Sequence, residues 1–234
     1  MQTPKGIKTY IRELDEKMPY GIPRKHIVLL SGYAGTMKSS IAFNIIYNHA
    51  KETHEKALYL SLEQTRESLC FHLQELGLNP ENVKDFVSII DMGYLRKMLE
   101  AEDKEIDWLS VIETIVKNFV ENENCKIVVV DSIDAIYAMS DIKNPRSFLF
   151  YFFQKLRDFG ITTFLITEMD PDSNKFGKYG VEDYLADGVI HITLERSGRV
   201  VGRYISIVKM RGVKHPTDYF PLIFENGIFR VVTK

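Results

Sequence analysis

Short apolar runs rich in β-branched residues alternate with longer stretches of helical period as far as residue 168. The runs HIVLLS (26–31), ALYLSLE (57–63), FVSIID (86–91), KIVVVDS (126–132) and TTFLITE (162–168) read as strands. Between them, 38–51, 65–77, 106–120 and 146–160 carry apolar residues at helical spacing; Thr65 can cap the second of these helices and Gly77 can end it. The strands are continuously apolar rather than alternating, as expected of parallel βαβ units whose sheet is covered on both faces. After residue 185 the texture changes. GVIHITLE, GRYISIVKM, YFPLIFE and GIFRVVT are strand-like runs parted by turn residues, which predicts an antiparallel extension of the same sheet. No Pro/Ser-rich linker, repeat or low-complexity tract intervenes, so residues 1–234 are expected to form one α/β domain.

The first strand runs into GYAGTMKSS (32–40), which opens the first long helix. A phosphate-binding loop reads G-x-x-x-x-G-K-[ST] in this strand–loop–helix context. Gly32, Lys38 and Ser39 stand at the required spacing, and Met37 occupies the place of the second glycine. Backbone amides of Gly32, Tyr33, Ala34, Gly35, Thr36, Met37, Lys38, Ser39 and Ser40 would form an anion cradle with the helix N-terminus. Lys38 would reach the β- and γ-phosphates of a nucleotide, and the Ser39 hydroxyl would ligate Mg²⁺. The residue replaced by Met37 commonly adopts a left-handed conformation, which costs an L-residue roughly 1–2 kcal/mol. That strain is compatible with binding, while the long side chain is expected to shift the loop and slow hydrolysis.

Two acids fall near the same crevice. Asp131 ends a buried strand, where ligands gather in open α/β sheets, and an acid there can hold Mg²⁺ through water. Glu63 ends the strand that follows the loop helix, where a carboxylate can orient or deprotonate an attacking water. Each acid taken alone reads as a strand cap; all three features in order point to nucleotide chemistry.

Composition adds limits. With 45% hydrophobic and 26% charged residues and a net charge of −2, the chain has an ordinary globular balance and no basic field for nucleic acid or anionic membrane. Cys70 and Cys125 stand outside any metal or C-x-x-C spacing and read as reduced, buried thiols of an intracellular protein. The N-terminal MQTPKGIKTYIRELDEK lacks the apolar core of a signal peptide, and no stretch approaches the ~20 apolar residues of a membrane span, so a cytoplasmic location is expected.

Several longer motifs are more specific. GIKTYIRELDEKMPYGIPRKHIVLLSG leads into the first strand, LYLSLEQ carries Glu63-Gln64 in place of paired acids, and VVVDSI carries Asp131. YLADGVIHI and VKMRGVKH (208–215) follow. Over nearly the whole length from Gly6, this pattern resembles the RecA superfamily and, within it, the single-domain KaiC-like ATPases common in archaea. The resemblance implies a RecA-like P-loop fold with a mainly parallel central sheet. It also implies an ATP site with Mg²⁺ at the interface between subunits of a ring, commonly a hexamer. It assigns Lys209 and Arg211 of K-M-R-G to the γ-phosphate held by the neighbouring subunit, where an added cation stabilises the transferring phosphoryl group. From the residues alone these are two strand charges. The reading is therefore a Mg-dependent ATPase that uses Lys38, Glu63, Lys209 and Arg211 catalytically. Two alternatives fit the same motifs: a non-hydrolysing ATP-sensing or assembly module, favoured by Met37 and Gln64, and a RecA/RadA-paralogue repair accessory protein.

The remaining features read more plainly. EMDPDSNKFGKYGVEDY (168–184) reads as a polar, mobile loop. Its Lys175, Phe176, Lys178 and Tyr179 would suit a single strand of nucleic acid. Its Asp170, Asp172, Glu182 and Asp183 oppose that reading and favour a solvated or partner-facing loop. FLFYFF (148–153) and Trp108 read as buried helix positions. His215 lies in the K-M-R-G segment, and the six histidines have no metal-ligand spacing.

Overall fold

A computed structural model describes residues 6–100, 106–140, 142–170 and 173–233. Nine strands form one sheet: β1 (Ile27–Gly32), β2 (Ala57–Ser61), β3 (Val87–Asp91), β4 (Ile127–Asp131), β5 (Thr162–Glu168), β6 (Gly188–Ser197), β7 (Val200–Met210), β8 (Phe220–Glu225) and β9 (Ile228–Val231). They lie in the order β3-β2-β4-β5-β1-β6-β7-β8-β9. The pairs from β3 to β6 are parallel and those from β6 to β9 antiparallel. This is the predicted α/β architecture with its antiparallel extension.

The helices are α1 (Leu14–Lys17), α2 (Lys38–Thr53), α3 (Arg66–Glu75), α4 (Met92–Glu100), α5 (Trp108–Glu123), α6 (Ile133–Met139), α7 (Pro145–Asp158) and α8 (Glu182–Leu185). Strands β1, β2 and β4 are buried along their whole length, since successive side chains feed two cores. Val28 and Leu30 of β1 join Ile41, Phe43 and Ile45 of α2 on one face. Ile27 and Leu29 join Ile112 of α5 and Phe152 of α7 on the other. Two buried faces explain why the strands read as unbroken apolar runs rather than alternating ones.

The predicted helix starts hold. Thr65 accepts the Ser68 amide at the cap of α3, and Gly77 follows that helix at φ 75°. Other details differ. β2 stops at Ser61, so Glu63 sits in the turn beyond it. Two further helices, α4 and α6, were not read from the sequence. Trp108 and Cys125 are buried as expected, but Cys70 is only half-buried, on the rim of α3. FLFYFF is amphipathic rather than buried throughout: Leu149, Phe152 and Phe153 are in the core, whereas Phe150 and Tyr151 face outward. Among the described residues no helix is long and apolar enough to cross a membrane.

Segment 173–181 corrects another expectation. Glu182 is fully buried, and its carboxylate accepts the Tyr137 hydroxyl and the amides of Tyr179 and Val181. Phe176 turns inward onto His191 and Tyr179 onto Tyr137, with ring centroids 5.3 and 4.8 Å apart. The two aromatics proposed as stacking platforms are thus packed against the protein's own core.

Candidate active site

The strand order reverses around β1, and β1 has parallel neighbours on both sides. Ligands in open α/β sheets bind beyond the carboxyl ends of strands at such a point. The loop 33–37 leaves β1 there. Gly32 must be glycine, because a Cβ would lie 2.2 Å from the Ile192 carbonyl oxygen. Gly35 sits at φ 80°, which favours the same residue.

Met37 also adopts the left-handed conformation, φ 71° and ψ 28°, and is the N-cap of α2. The backbone thus meets the glycine-like requirement without glycine, and Lys38 and Ser39 keep their places at the start of the helix. The Met37 side chain packs against the α2-side core, which offsets the conformational strain. Met37→Gly should therefore leave stability within about 1 kcal/mol of the wild type, whereas Met37→Ala, which keeps the strain and loses the packing, should cost about 1–2 kcal/mol more than Gly. Urea unfolding of the two variants checks the order.

Lys38 is 7% exposed, and its ammonium donates to the Gly32 and Tyr33 carbonyls, each at 2.9 Å. Burial pulls its pKa down, opposed chiefly by Glu168, whose Oε1 lies 3.8 Å from the ammonium, and then by Asp131, Asp134 and Glu63. Asp131 is likewise nearly buried. Burial pushes its carboxyl up, while hydrogen bonds from Tyr59 and Ser39 and the charge of Lys38 hold it down. Ser39 and Asp131 are thus brought into contact, a hydroxyl and a carboxylate side by side. That pair of hard oxygens fits a cation such as Mg²⁺, which takes its other ligands from water and phosphate. Among the described residues no three His, Cys, Asp or Glu side chains cluster as a metal cage.

Glu63 stands at the mouth of the cleft and accepts the Ser132 hydroxyl at 3.2 Å. The side chain is exposed on its outer side, yet desolvation of its inner side, followed by the Asp131 and Glu168 charges, raises its pKa. Ala34 to Ser40, Glu63, Gln64, Asp131, Ser132 and Glu168 enclose a space of about 310 Å³. Glu168 was missed in the sequence. It ends β5 in register with Gly32, and that pairing is what sets it beside Lys38.

Behind Glu168, Asp134 accepts the Glu168 amide at 2.9 Å. Burial pushes the Asp134 carboxyl up from 3.8 to about 6. Since the folded state holds this proton more tightly than the unfolded chain, its contribution to stability is lost as pH rises from about 4 through 6. Asp134→Asn should therefore gain on the order of 2 kcal/mol relative to wild type between pH 4.5 and pH 8. Paired unfolding curves at the two pH values test it.

The structure places Lys209 and Arg211 at the opposite end of the sheet. Arg211 is in register with Asp187 and the start of β1, and five residues of rise separate that level from Gly32, roughly 17 Å. Neither side chain spans that gap to its own loop. Arg211 pairs with Asp187 at 3.0 Å and also donates to the Tyr184 carbonyl; Lys209 donates to the Asp183 and Ala186 carbonyls, each at 2.7 Å. The D-G-V-I and K-M-R-G segments are therefore one structural unit, with Asp187 aiming the arginine. His215 serves that unit locally, its Nε2 accepting the Met210 amide. A further basic residue, Arg203 of β7, donates to the Gly35 carbonyl at 3.2 Å and was not foreseen.

Known proteins resemble this chain in sequence and fold. A KaiC-like protein of the archaeon Pyrococcus horikoshii superposes with a TM-score of 0.82 at 26% identity, over 97% of this chain and 98% of that one. A UPF0273 protein of Saccharolobus solfataricus is 30% identical, covering 96% of this chain and 82% of its own length. The circadian clock oscillator protein KaiC of Thermostichus vulcanus is 25% identical across 96% of this chain, but this chain spans only 43% of that protein. The family model described as "ATPase: KaiC" matches residues 7–234. With the loop, the strand-end acids and the paired D-G-V-I and K-M-R-G segments in one frame, the chain belongs to the KaiC family of ATPases.

Proposed function

We propose that the chain is an ATPase that binds Mg-ATP in the cleft above β1, β2, β4 and β5 and completes its site with a second copy in a ring. The gathering of Lys38, Ser39, Asp131, Glu63 and Glu168 around one cleft carries this reading. The loop amides and Lys38 hold the phosphates, with the Lys38 ammonium leaving the Gly32 and Tyr33 carbonyls for phosphate oxygens. Ser39 and Asp131 would hold Mg²⁺, which when bound would supply positive charge to the phosphates. Glu63 takes the proton of a water aligned with the γ-phosphate. With Asp131 and Glu63 at the end of the cleft suited to the γ-phosphate, the nucleoside would run the other way, toward β6–β8. A groove of about 570 Å³ lies there, lined in part by Leu194, Arg203, Tyr204 and Phe224, and Arg203 links it to the loop.

Lys209 and Arg211 act on a neighbour's γ-phosphate, because their own loop is out of reach. A hexamer follows by resemblance to the family. The test is ATP hydrolysis by purified protein over a range of protein concentrations. Specific activity that climbs with concentration supports a site shared between copies. Flat specific activity over that range, down to monomeric protein, overturns the shared site.

A second reading, a sensor that holds ATP without turning it over, is favoured by Gln64, an amide that lines the cleft beside Glu63 where paired acids would stand. Tight ATP retention with negligible turnover in assembled protein would select it.

A further inference from the structure

Among the described residues Tyr59 of β2 is the largest side chain that is fully buried, and it has no role in the reading above. Its ring stands edge-on to Phe43 of α2, with centroids 6.0 Å apart. Its hydroxyl lies 2.5 Å from Oδ2 of Asp131, and the Ser39 side chain stands near both, close enough to hold their pKa values down. The three groups close a triangle under the first turn of α2. Register explains the reach. Tyr59 pairs with Val129 of β4 while Asp131 pairs with Ser61, so the phenol spans two residues of rise along the neighbouring strand.

A phenol cut off from water needs an acceptor, and a buried carboxylate needs donors. Tyr59 satisfies both requirements with one bond, and the consequence is directional. With Oδ2 taken by the phenol, the second oxygen of Asp131 is left for Ser39 and for whatever Ser39 binds. A serine that offers its lone pair to a cation must send its single proton elsewhere, and Asp131 is the acceptor in contact. If the carboxylate turned, that acceptor would be misplaced. We propose that Tyr59 is a positioning residue for the cation of this site, fixing the Asp131 carboxylate so that Ser39 and Asp131 face it together. Partners that orient ligands in this way typically contribute about 10–100-fold to metal affinity.

The inference rests on the Mg-ATP reading of the cleft, and its test separates the two. Tyr59→Phe removes only the hydroxyl and keeps the ring against Phe43. Affinity for a fluorescent ATP analogue is measured in EDTA and across a Mg²⁺ titration, for the wild type and the variant. We expect the Mg²⁺ concentration giving half the gain in affinity to rise about tenfold in Tyr59→Phe, with affinity in EDTA changed less than twofold. The same substitution made on Asp131→Asn should add nothing further, because the group it positions is gone. An unchanged Mg²⁺ midpoint in Tyr59→Phe, or an equal loss with and without Mg²⁺, overturns the positioning role while leaving the cleft's function intact. A wild type whose affinity ignores Mg²⁺ overturns the metal reading and this inference with it.

Discussion

Glu63→Gln is expected to lower ATP turnover by about 10²–10⁴-fold while ATP affinity stays within a few-fold. Glutamine matches glutamate in shape and can still accept the Ser132 hydroxyl, so the turn after β2 should keep its form. It cannot take a proton from water. The surroundings of Glu63 suit that task, because partial desolvation and the carboxylates of Asp131 and Glu168 raise its pKa toward that of a working base. Single-turnover hydrolysis of radiolabelled ATP, alongside equilibrium binding, checks both halves of the expectation.

Glu168 makes the experiment sharper. It is a second acid at the same cleft, 3.8 Å from the Lys38 ammonium. Full turnover in Glu63→Gln would remove Glu63 from the mechanism and move the role of base to Glu168. The present assignment favours Glu63 because Glu168 has a cation partner within the chain, whereas Glu63 has only the Ser132 hydroxyl.

The sequence made legible what depends on local pattern. Uninterrupted runs such as IVVVD marked strands buried on both faces, and a strand feeding GYAGTMKSS into a helix marked the loop. Even the left-handed backbone at Met37 followed from its place in that motif. What escaped depends on which strand lies beside which. Glu168 joins the site only because β5 pairs with β1 in the register that puts it opposite Gly32. Arg203 joins it because β7 returns antiparallel beside β6 and carries a side chain back to Gly35. Tyr59 looked like one more apolar strand residue until β4 set Asp131 above it. Phe176 and Tyr179 differ for a related reason: in a polar stretch they read as part of a solvated, mobile loop, yet a buried Glu182 pins the segment and turns them inward.

Arg211→Ala and Lys38→Ala should each be inactive alone, and mixing the two proteins before assembly should restore about a quarter of wild-type activity. The argument is geometric. Arg211 is aimed by Asp187 at the end of the sheet that receives the start of β1, and the loop lies at the other end. If Arg211 acts on phosphate at all, it acts on a neighbour's. Removal of such an arginine typically costs about 10³–10⁵ in turnover, so each variant alone should fall near background. In a mixed ring, a site works when an intact loop meets an intact Arg211 from the next subunit. Random mixing of equal amounts gives that pairing at about one site in four, since heterologous contacts repeat around the ring. Asp187 keeps Arg157 as a partner in Arg211→Ala, so the fold should hold, and an unchanged melting temperature checks it. A mixture no more active than its parts would overturn action of Arg211 across the interface, and an Arg211→Ala protein that keeps its turnover alone would leave Arg211 a charge that holds the 183–187 turn. Recovery near one quarter would fix the direction of the ring, loop of one copy against the Arg211 face of the next.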